Sequence, residues 1–393
     1  MKWPSWIEIN LNSVAHNFKQ IKQHTKAEIC PILKGDAYGH GAPIISAFLQ
    51  TQGVKLIGVS DLEEALTILD THPIPILLLT PPLDSQLETI LQYKIAAAVT
   101  SQANITSLGE LAAKRRQCTP IHLKVNTGLN RLGAAPGEAR FQANLTHKYP
   151  YLKLQEVFTH FAAAFQNQSL TEQQFKTFKD LQTDFHQAGW TNLVWHAANS
   201  AAFITMPSAH LDLVRVGTLL FGQSPVPLDN SWTLENTWSF HTRLIQIQQI
   251  EKGSGIGYGH SYHTKKKTTI GIIPVGYGDG LGLDPISTPF RQLSHAVGRL
   301  VRRHRTVTFI GKTAVPVIGR IGMGLTCLDI SHIPNPIIGQ EVIVPMRRVT
   351  SNHRIPKVYI QGDQIICVWW GNKVYVKGRK VSNLKVLFQT ASD

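Results

Sequence analysis

Eight short runs rich in aliphatic and β-branched residues recur through the first 230 or so positions, and no other feature constrains the fold as strongly. They occupy residues 29–33, 56–59, 76–79, 95–99, 121–125, 155–159, 193–196 and 213–216. The intervening segments carry helical spacing, clearest at Phe175, Phe178, Leu181 and Phe185, and Ser60 or Asp61 offers a cap for a helix over Leu62–Leu69. Strands that alternate with helices pair in parallel, and eight such units close on themselves, so the repeat predicts a (β/α)8 TIM barrel.

Past Trp238 the pattern changes to period-two strands with glycine-rich turns, at 240–250, 268–275, Val307–Ile310 and Glu341–Val344. This predicts a mainly β C-terminal domain: residues 1–232 form the barrel and 233–393 the β domain, with a strand at 6–10 crossing over to join the latter. A chain of 393 residues exceeds what one core usually organises, which agrees with two domains.

The remaining bulk properties exclude more than they assign. No apolar run approaches the ~18 residues of a membrane span, and the densest, 74–80, is bounded by Pro73 and Pro81 as a buried strand would be. The first six residues hold one lysine and no apolar stretch, so no cleaved signal peptide is expected and the location reads as cytoplasmic. Cys30, Cys118, Cys327 and Cys367 lack ligand spacing; they read as core thiols in a reducing compartment, with no metal site. His16, His24, His72 and His186 also lack ligand spacing and read as solvent-facing. The net charge of +14 gathers at 265–267, 302–305, Arg347 with Arg348, and 373–385. Without interleaved aromatics these clusters predict a solvated basic face rather than specific nucleic-acid binding.

Barrel enzymes carry their chemistry at the C-terminal ends of the strands. There the sequence places Lys34 and Tyr38 after the first run, Lys124 and Arg131 after the fifth, His160 after the sixth, His196, Asn199 and Ser200 after the seventh, and Arg215, Gly217 and Thr218 after the eighth. Alone, Lys34 is an ordinary strand-end lysine, and His160 and His196 are satisfied polar groups. Together they suggest more. A lysine at the end of an apolar strand is favoured as the neutral amine, a Schiff-base nucleophile. The backbone at Gly217 and Thr218, after the last strand, lies where barrels bind phosphate, and Ser200 and Tyr38 add hydroxyls. A phosphate-bearing aldehyde meets both demands. Arg215, a strand-end arginine in need of an acceptor, suits the ring nitrogen of pyridoxal 5'-phosphate (PLP) and would leave it unprotonated, a state that favours proton exchange over transamination.

These segments resemble the alanine racemase family. Trp6-Ile-Glu-Ile-Asn-Leu-Asn is similar to its opening strand, Leu33-Lys-Gly-Asp-Ala-Tyr-Gly-His-Gly to its cofactor-lysine signature, and His122-Leu-Lys-Val-Asn-Thr-Gly-Leu-Asn-Arg-Leu-Gly to its second block. Phe158-Thr-His-Phe, His196-Ala-Ala-Asn-Ser, Val214-Arg-Val-Gly, Gly257-Tyr-Gly, Pro274-Val-Gly-Tyr-Gly-Asp-Gly and Gly319-Arg-Ile-Gly-Met follow in the family's order. The resemblance implies a PLP enzyme that interconverts L- and D-alanine and supplies D-alanine for peptidoglycan. Lys34 would hold the cofactor as an aldimine and serve as base for the D-isomer; Tyr258, from the partner subunit of a head-to-tail homodimer, would serve the L-isomer. It further implies that Arg131 contacts the cofactor or the substrate carboxylate, and that His160 packs near the ring. His196 would bond Arg215, while Tyr38, Asn199, Ser200, Gly217 and Thr218 would surround the cofactor. Tyr277 and Met323 would line the substrate site, Arg320 would support it, and Lys124, carbamylated in many members, would position Arg131.

The chain also departs from the family pattern. Gly324 follows Met323 where an aspartate is usual, the segment 281–305 is longer and more basic, and a C-terminal tyrosine motif is missing after Pro345. About thirty unmatched residues end the chain, with a hairpin predicted around Gly371-Asn372. These departures keep two other readings open: a racemase of a larger amino acid such as serine, lysine or arginine, and a catalytically degenerate PLP-binding protein.

Overall fold

Trp6, Ile7 and Ile9 sit in strand β1 (Ser5–Asn10), and all three are buried because the strand is paired on both sides. It runs antiparallel to β10 (Trp238–Arg243) and parallel to β19 (Lys357–Gln361). The computed structural model describes residues 3–283, 306–377, 379–381 and 384–388. Two compact units emerge: Met1–Asn10 with Trp238–Val381, and Leu11–Thr237 with Ser382–Asp393.

The second unit is the barrel. Its strands are β2 (Glu28–Pro31), β3 (Ile57–Val59), β4 (Ile76–Leu78), β5 (Ala96–Val99), β6 (Thr119–Lys124), β7 (Leu152–Phe158), β8 (Val194–His196) and β9 (Leu213–Val216). Strands β3 to β8 form one parallel sheet in sequence order, and β2 pairs in parallel with β9. A bridge from Ile32 to Gly58 joins β2 to β3, and the Arg215 N–H donates to the Ala198 carbonyl at 3.0 Å beside β8, which completes the ring. Short strands whose C-terminal ends are buried read as apolar runs, so all eight were visible in the sequence. The helix Gln168–Gln187 shows how the outer layer attaches: its buried Phe178 and Phe185 meet Trp195 of β8 edge-on. Asp61, rather than Ser60, caps Leu62–Leu69, accepting from the Glu64 N–H at 2.9 Å.

On β6 to β9 the interior is not aliphatic. His122 lies opposite Glu156, Lys124 opposite Phe158, and Phe158 opposite His196, while Arg215 lies opposite Cys30 of β2. His122, Lys124, Glu156, His196 and Arg215 are all buried. Alternate residues of neighbouring strands share a layer in such barrels, so this charged set is stacked where branched aliphatics usually stand.

The β unit continues with β11 (Gln246–Ile250), β12 (Gly255–Ile256), β13 (Tyr262–His263), β14 (Thr268–Ile273), β15 (Val307–Ile310), β16 (Thr313–Ile318), β17 (Thr326–Asp329), β18 (Glu341–Val344), β20 (Gln364–Trp370), β21 (Lys373–Val376) and β22 (Arg379–Val381). Twelve strands form one sheet in the order β11-β14-β17-β16-β15-β18-β10-β1-β19-β20-β21-β22. The single strand expected over 240–250 is two. Leu244 N–H bonds Gln340 and Ile245 N–H bonds Ile272, so the chain changes partners between them. Gly371 and Asn372 form the tight turn between β20 and β21, both with positive φ (56° and 57°), as a two-residue hairpin loop requires.

Two expectations are corrected. His72 is buried and shares a 2.9 Å hydrogen bond with the Ser46 hydroxyl, because it follows the helix Leu62–Leu69 into the packed layer rather than facing solvent. Cys118 is exposed rather than a core thiol, one residue before β6 begins. The basic cluster at 302–305 and all but the first three residues of the segment 281–305 lie outside the described residues. Among the described residues no helix is long and apolar enough to cross a membrane.

Candidate active site

Beyond β2 the backbone does something the sequence did not announce. Gly35, Asp36, Ala37 and Tyr38 all take positive φ, between 54° and 62°, forming a left-handed turn directly after Lys34. For an L-residue this conformation costs about 1–2 kcal/mol, so the surroundings must hold it. The Glu64 carboxylate does so from the next repeat: one oxygen accepts from the Gly35 N–H and the other from the Ser60 N–H. Asp36 accepts from the Ala42 N–H at 2.7 Å at the turn's far end.

Lys34, Tyr38, Lys124, Arg131, His160, Asn199, Ser200, Arg215, Gly217 and Thr218 line one cavity of about 550 Å³ in the barrel. Its size is ordinary for a small-molecule site. The Lys34 amine stands 6.0 Å from the Tyr38 ring centre. Burial, then the Arg131 charge, depress its pKa, with Glu64 opposing, so the neutral amine is more accessible than in water.

Arg215 is held from several sides. Its guanidinium donates to His196 Nδ1 at 2.7 Å and to the carbonyls of Thr159, His196 and Ala197, with its carbon 5.3 Å from the Phe158 ring centre. Burial lowers its pKa to about 10, so it remains a cation at neutral pH. Burial, reinforced by Arg215, Lys124, Arg131 and Lys34, pulls His160 down to about 3, which keeps that ring neutral. Burial also lowers His196 to about 4 despite its bond to Glu156.

The opposite rim is a cradle. The Ser200 hydroxyl accepts from the Gly217 N–H at 3.0 Å, and Asn199 caps the helix Ser200–Thr205 by accepting from Ala201 and Ala202. A side-chain carbon on Gly217 would stand 2.5 Å from the Tyr38 hydroxyl, so only glycine fits. Among the described residues the Thr218 hydroxyl is buried without a partner. An unsatisfied hydroxyl beside Ser200 and Tyr38, in a cavity rich in cations, fits the phosphate of PLP, while the Lys34 amine fits its aldehyde.

The remaining expected residues belong to the β unit. Tyr258 is 78% exposed on the turn between β12 and β13, and a side-chain carbon at Gly257 would lie 3.8 Å from the Arg320 backbone. Tyr277 and Gly278 donate to the carbonyls of Gly322 and Met323 at 3.0 and 2.9 Å. Thus Tyr258, Tyr277, Arg320 and Met323 share one loop cluster within that unit. Gly324 faces open space.

Sequence reading passed over Glu64, His122, Glu156 and Phe158. The available signal was a charged or aromatic residue at alternate positions of a buried strand: His122 with Lys124, Glu156 with Phe158. Lys124 itself donates to the Leu79 carbonyl at 2.8 Å and lies 5.4 Å from the Phe158 ring centre. Burial, then Arg215, Arg131 and Lys34, lower its pKa to about 8. The sign of the resulting pH dependence is fixed: above pH 8 the folded amine is neutral while the unfolded one still binds a proton, so native stability gains with pH up to the ordinary lysine value. Denaturant titrations of the native chain and Lys124→Met should therefore show their difference shifting in the native chain's favour between pH 8 and about 10; a pH-independent difference would contradict the depressed value.

Two family models match consecutively, "Alanine racemase, N-terminal domain" over residues 9–225 and "Alanine racemase, C-terminal domain" over 237–365. The chain belongs to the alanine racemase family. Alanine racemase of Clostridium tetani is 34% identical over 350 residues, spanning 87% of this chain and 86% of its own. Alanine racemase 1 of Caldanaerobacter subterraneus is 33% identical over 92% and 90%. Among solved structures, alanine racemase of Clostridium difficile superposes with a TM-score of 0.85 at 26% identity, covering 94% of this chain and 98% of that one. The same enzyme with cycloserine gives 0.83 at 25% identity over 94% and 98%. Alanine racemases thus share with this chain both halves of the architecture, a barrel and a mainly β unit.

Proposed function

We propose that this chain is a PLP-dependent racemase that interconverts L- and D-alanine. The observation that carries the reading is the Lys34 amine, with its depressed pKa, in one cavity with a locked Arg215 cation and an unsatisfied Thr218 hydroxyl. Lys34 would hold the cofactor's aldehyde, Thr218, Ser200, Tyr38 and Gly217 its phosphate, and Arg215 its ring nitrogen. The bound cofactor supplies an electron-withdrawing group that acidifies the substrate Cα–H.

The chain's own residues then move the proton. Racemisation needs a base on each face of Cα, since one base returns the proton to the side it left. Lys34 Nζ serves one face. The phenol of Tyr258, exposed on its glycine-flanked turn, serves the other from the partner subunit of a homodimer, with Tyr277 and Met323 beside it lining the substrate site. Arg131 takes the substrate carboxylate, and Lys124, a candidate for carbamylation as a partly neutral amine, positions Arg131. His160 is neutral and packs rather than transfers protons. In this reading the D-alanine goes to peptidoglycan and the chain works in the cytoplasm.

The experiment is chiral chromatography of amino acids incubated with purified protein and PLP. L-Alanine should become a racemic mixture, and cycloserine, bound in one solved relative, should stop the conversion. Gly324, open where the family has a carboxylate, favours a second reading, a racemase of serine, lysine or arginine, which faster conversion of those substrates would establish. No conversion of any substrate would leave only a PLP-binding protein.

A further inference from the structure

Among the described residues, the barrel interior beneath the pocket holds buried titratable residues without a role in the mechanism above, His122 and Glu156 beside the Cys30 thiol. His122 Nδ1 and His196 Nε2 converge on the same Glu156 oxygen, at 2.7 and 2.9 Å. The ring N–H directions stray from ideal alignment, so these are close charge-assisted contacts rather than straight hydrogen bonds. His196 Nδ1, on the ring's other side, accepts from Arg215 at 2.7 Å.

We propose that Glu156 and His122 are positioning residues that fix the tautomer of His196 and, through it, the aim of the Arg215 guanidinium at the pocket floor. The inference rests on the racemase reading only for what Arg215 faces. Arg215 has hydrogens to give and none to take, so His196 Nδ1 must be bare and the ring proton must sit on Nε2. That proton faces Glu156. Burial alone would raise the Glu156 pKa, but its contacts with His122 and His196 outweigh this and hold it well below the usual carboxylate range. The carboxylate also lines a second cavity of about 540 Å³ at the barrel's N-terminal end, with Glu28, Lys55 and Asp212. The line Glu156–His196–Arg215 therefore runs from that end of the barrel to the floor of the site. Without the carboxylate the Nε2–H would be left without an acceptor, and the alternative tautomer would aim an N–H at the guanidinium's own donor. Arg215 would then turn away.

The three ligand atoms of His122, Glu156 and His196 also lie within 4.8 Å of one another, close enough to suit a divalent cation. The Arg215 guanidinium, 2.7 Å from His196, opposes a second cation there and favours a proton.

Histidine-labelled full-length chain, with and without PLP, tests this by ring-nitrogen NMR, the His196 signal being assigned from its loss in His196→Gln. The native chain should show His196 protonated at Nε2. Glu156→Gln, which keeps an acceptor, should preserve that tautomer and hold kcat within about threefold. Glu156→Leu should shift the tautomer and lower kcat by about tenfold or more with KM within about twofold, the scale for residues that orient a group in contact with the ligand. A native His196 protonated at Nδ1 overturns the proposal, and that measurement stands even where Glu156→Leu fails to fold. So does an unchanged tautomer and kcat in Glu156→Leu, or a stoichiometric divalent metal in the purified protein. A chain that fails to racemise yet shows the Nε2 proton would sink the proposed function and leave this inference standing.

Discussion

Lys34→Ala should abolish the visible absorption that the native chain acquires with PLP and reduce racemisation by about 10³-fold or more, since it removes both the covalent anchor and one of two bases. The folded state should hardly notice. The substitution deletes an amine that stands 6.0 Å from the Tyr38 ring centre and leaves the turn's hydrogen bonds to Glu64 and Asp36 in place. Thermal unfolding should therefore move little while activity collapses. A Lys34→Ala protein that keeps both the visible band and measurable racemisation would place the cofactor's anchor elsewhere. Loss of the band together with a large fall in melting temperature would mean that the lysine is structural.

Tyr258→Phe is expected to lower racemisation by about 10²–10⁴-fold, the range for a lost general base, while the visible band persists. Because this phenol is 78% exposed, its removal should not disturb the β unit. Mixing the two inactive proteins decides whether the site is shared. In a hybrid dimer of Lys34→Ala and Tyr258→Phe chains, one site has lost both groups and the other has lost neither. Random exchange makes half the dimers hybrids, each with one intact site, so about a quarter of native activity should return. No recovery after exchange would show that Tyr258 serves its own chain or none.

The barrel was legible because its strands are short and several, β3, β4, β5 and β9, are buried along their length, so that even β5, as Ala96–Val99, stood out between helical segments. The hairpin at Gly371-Asn372 was equally plain, since that dipeptide is among the few that accept positive φ at both turn positions. The site's framework was less so. Asp36 tolerates a left-handed backbone but Ala37 and Tyr38 do not favour one; the conformation depends on Glu64, which lies 29 residues from Gly35 and reads in sequence as an ordinary surface acid. His122 and Glu156 gave only polar letters among others in their strands, Glu156 directly after Gln155, and their meaning depends on register between β6 and β7. The partner change at Leu244–Ile245 carries no turn residue and is set by strands that arrive later in the chain.

Strand β1 carries a consequence for biosynthesis. Ser5–Asn10 leaves the ribosome well before its partners: it pairs with Trp238–Arg243, made about 230 residues later, and with Lys357–Gln361, made about 350 residues later. At about 5–20 residues per second, this interval is tens of seconds. Trp6, Ile7 and Ile9 wait without either neighbour while the 227 residues from Leu11 to Thr237 are made, and with one edge still open until Lys357–Gln361 follows. Translation speed and nascent-chain chaperones should therefore govern the yield of this protein more than that of a barrel whose first strand finds its neighbours at once.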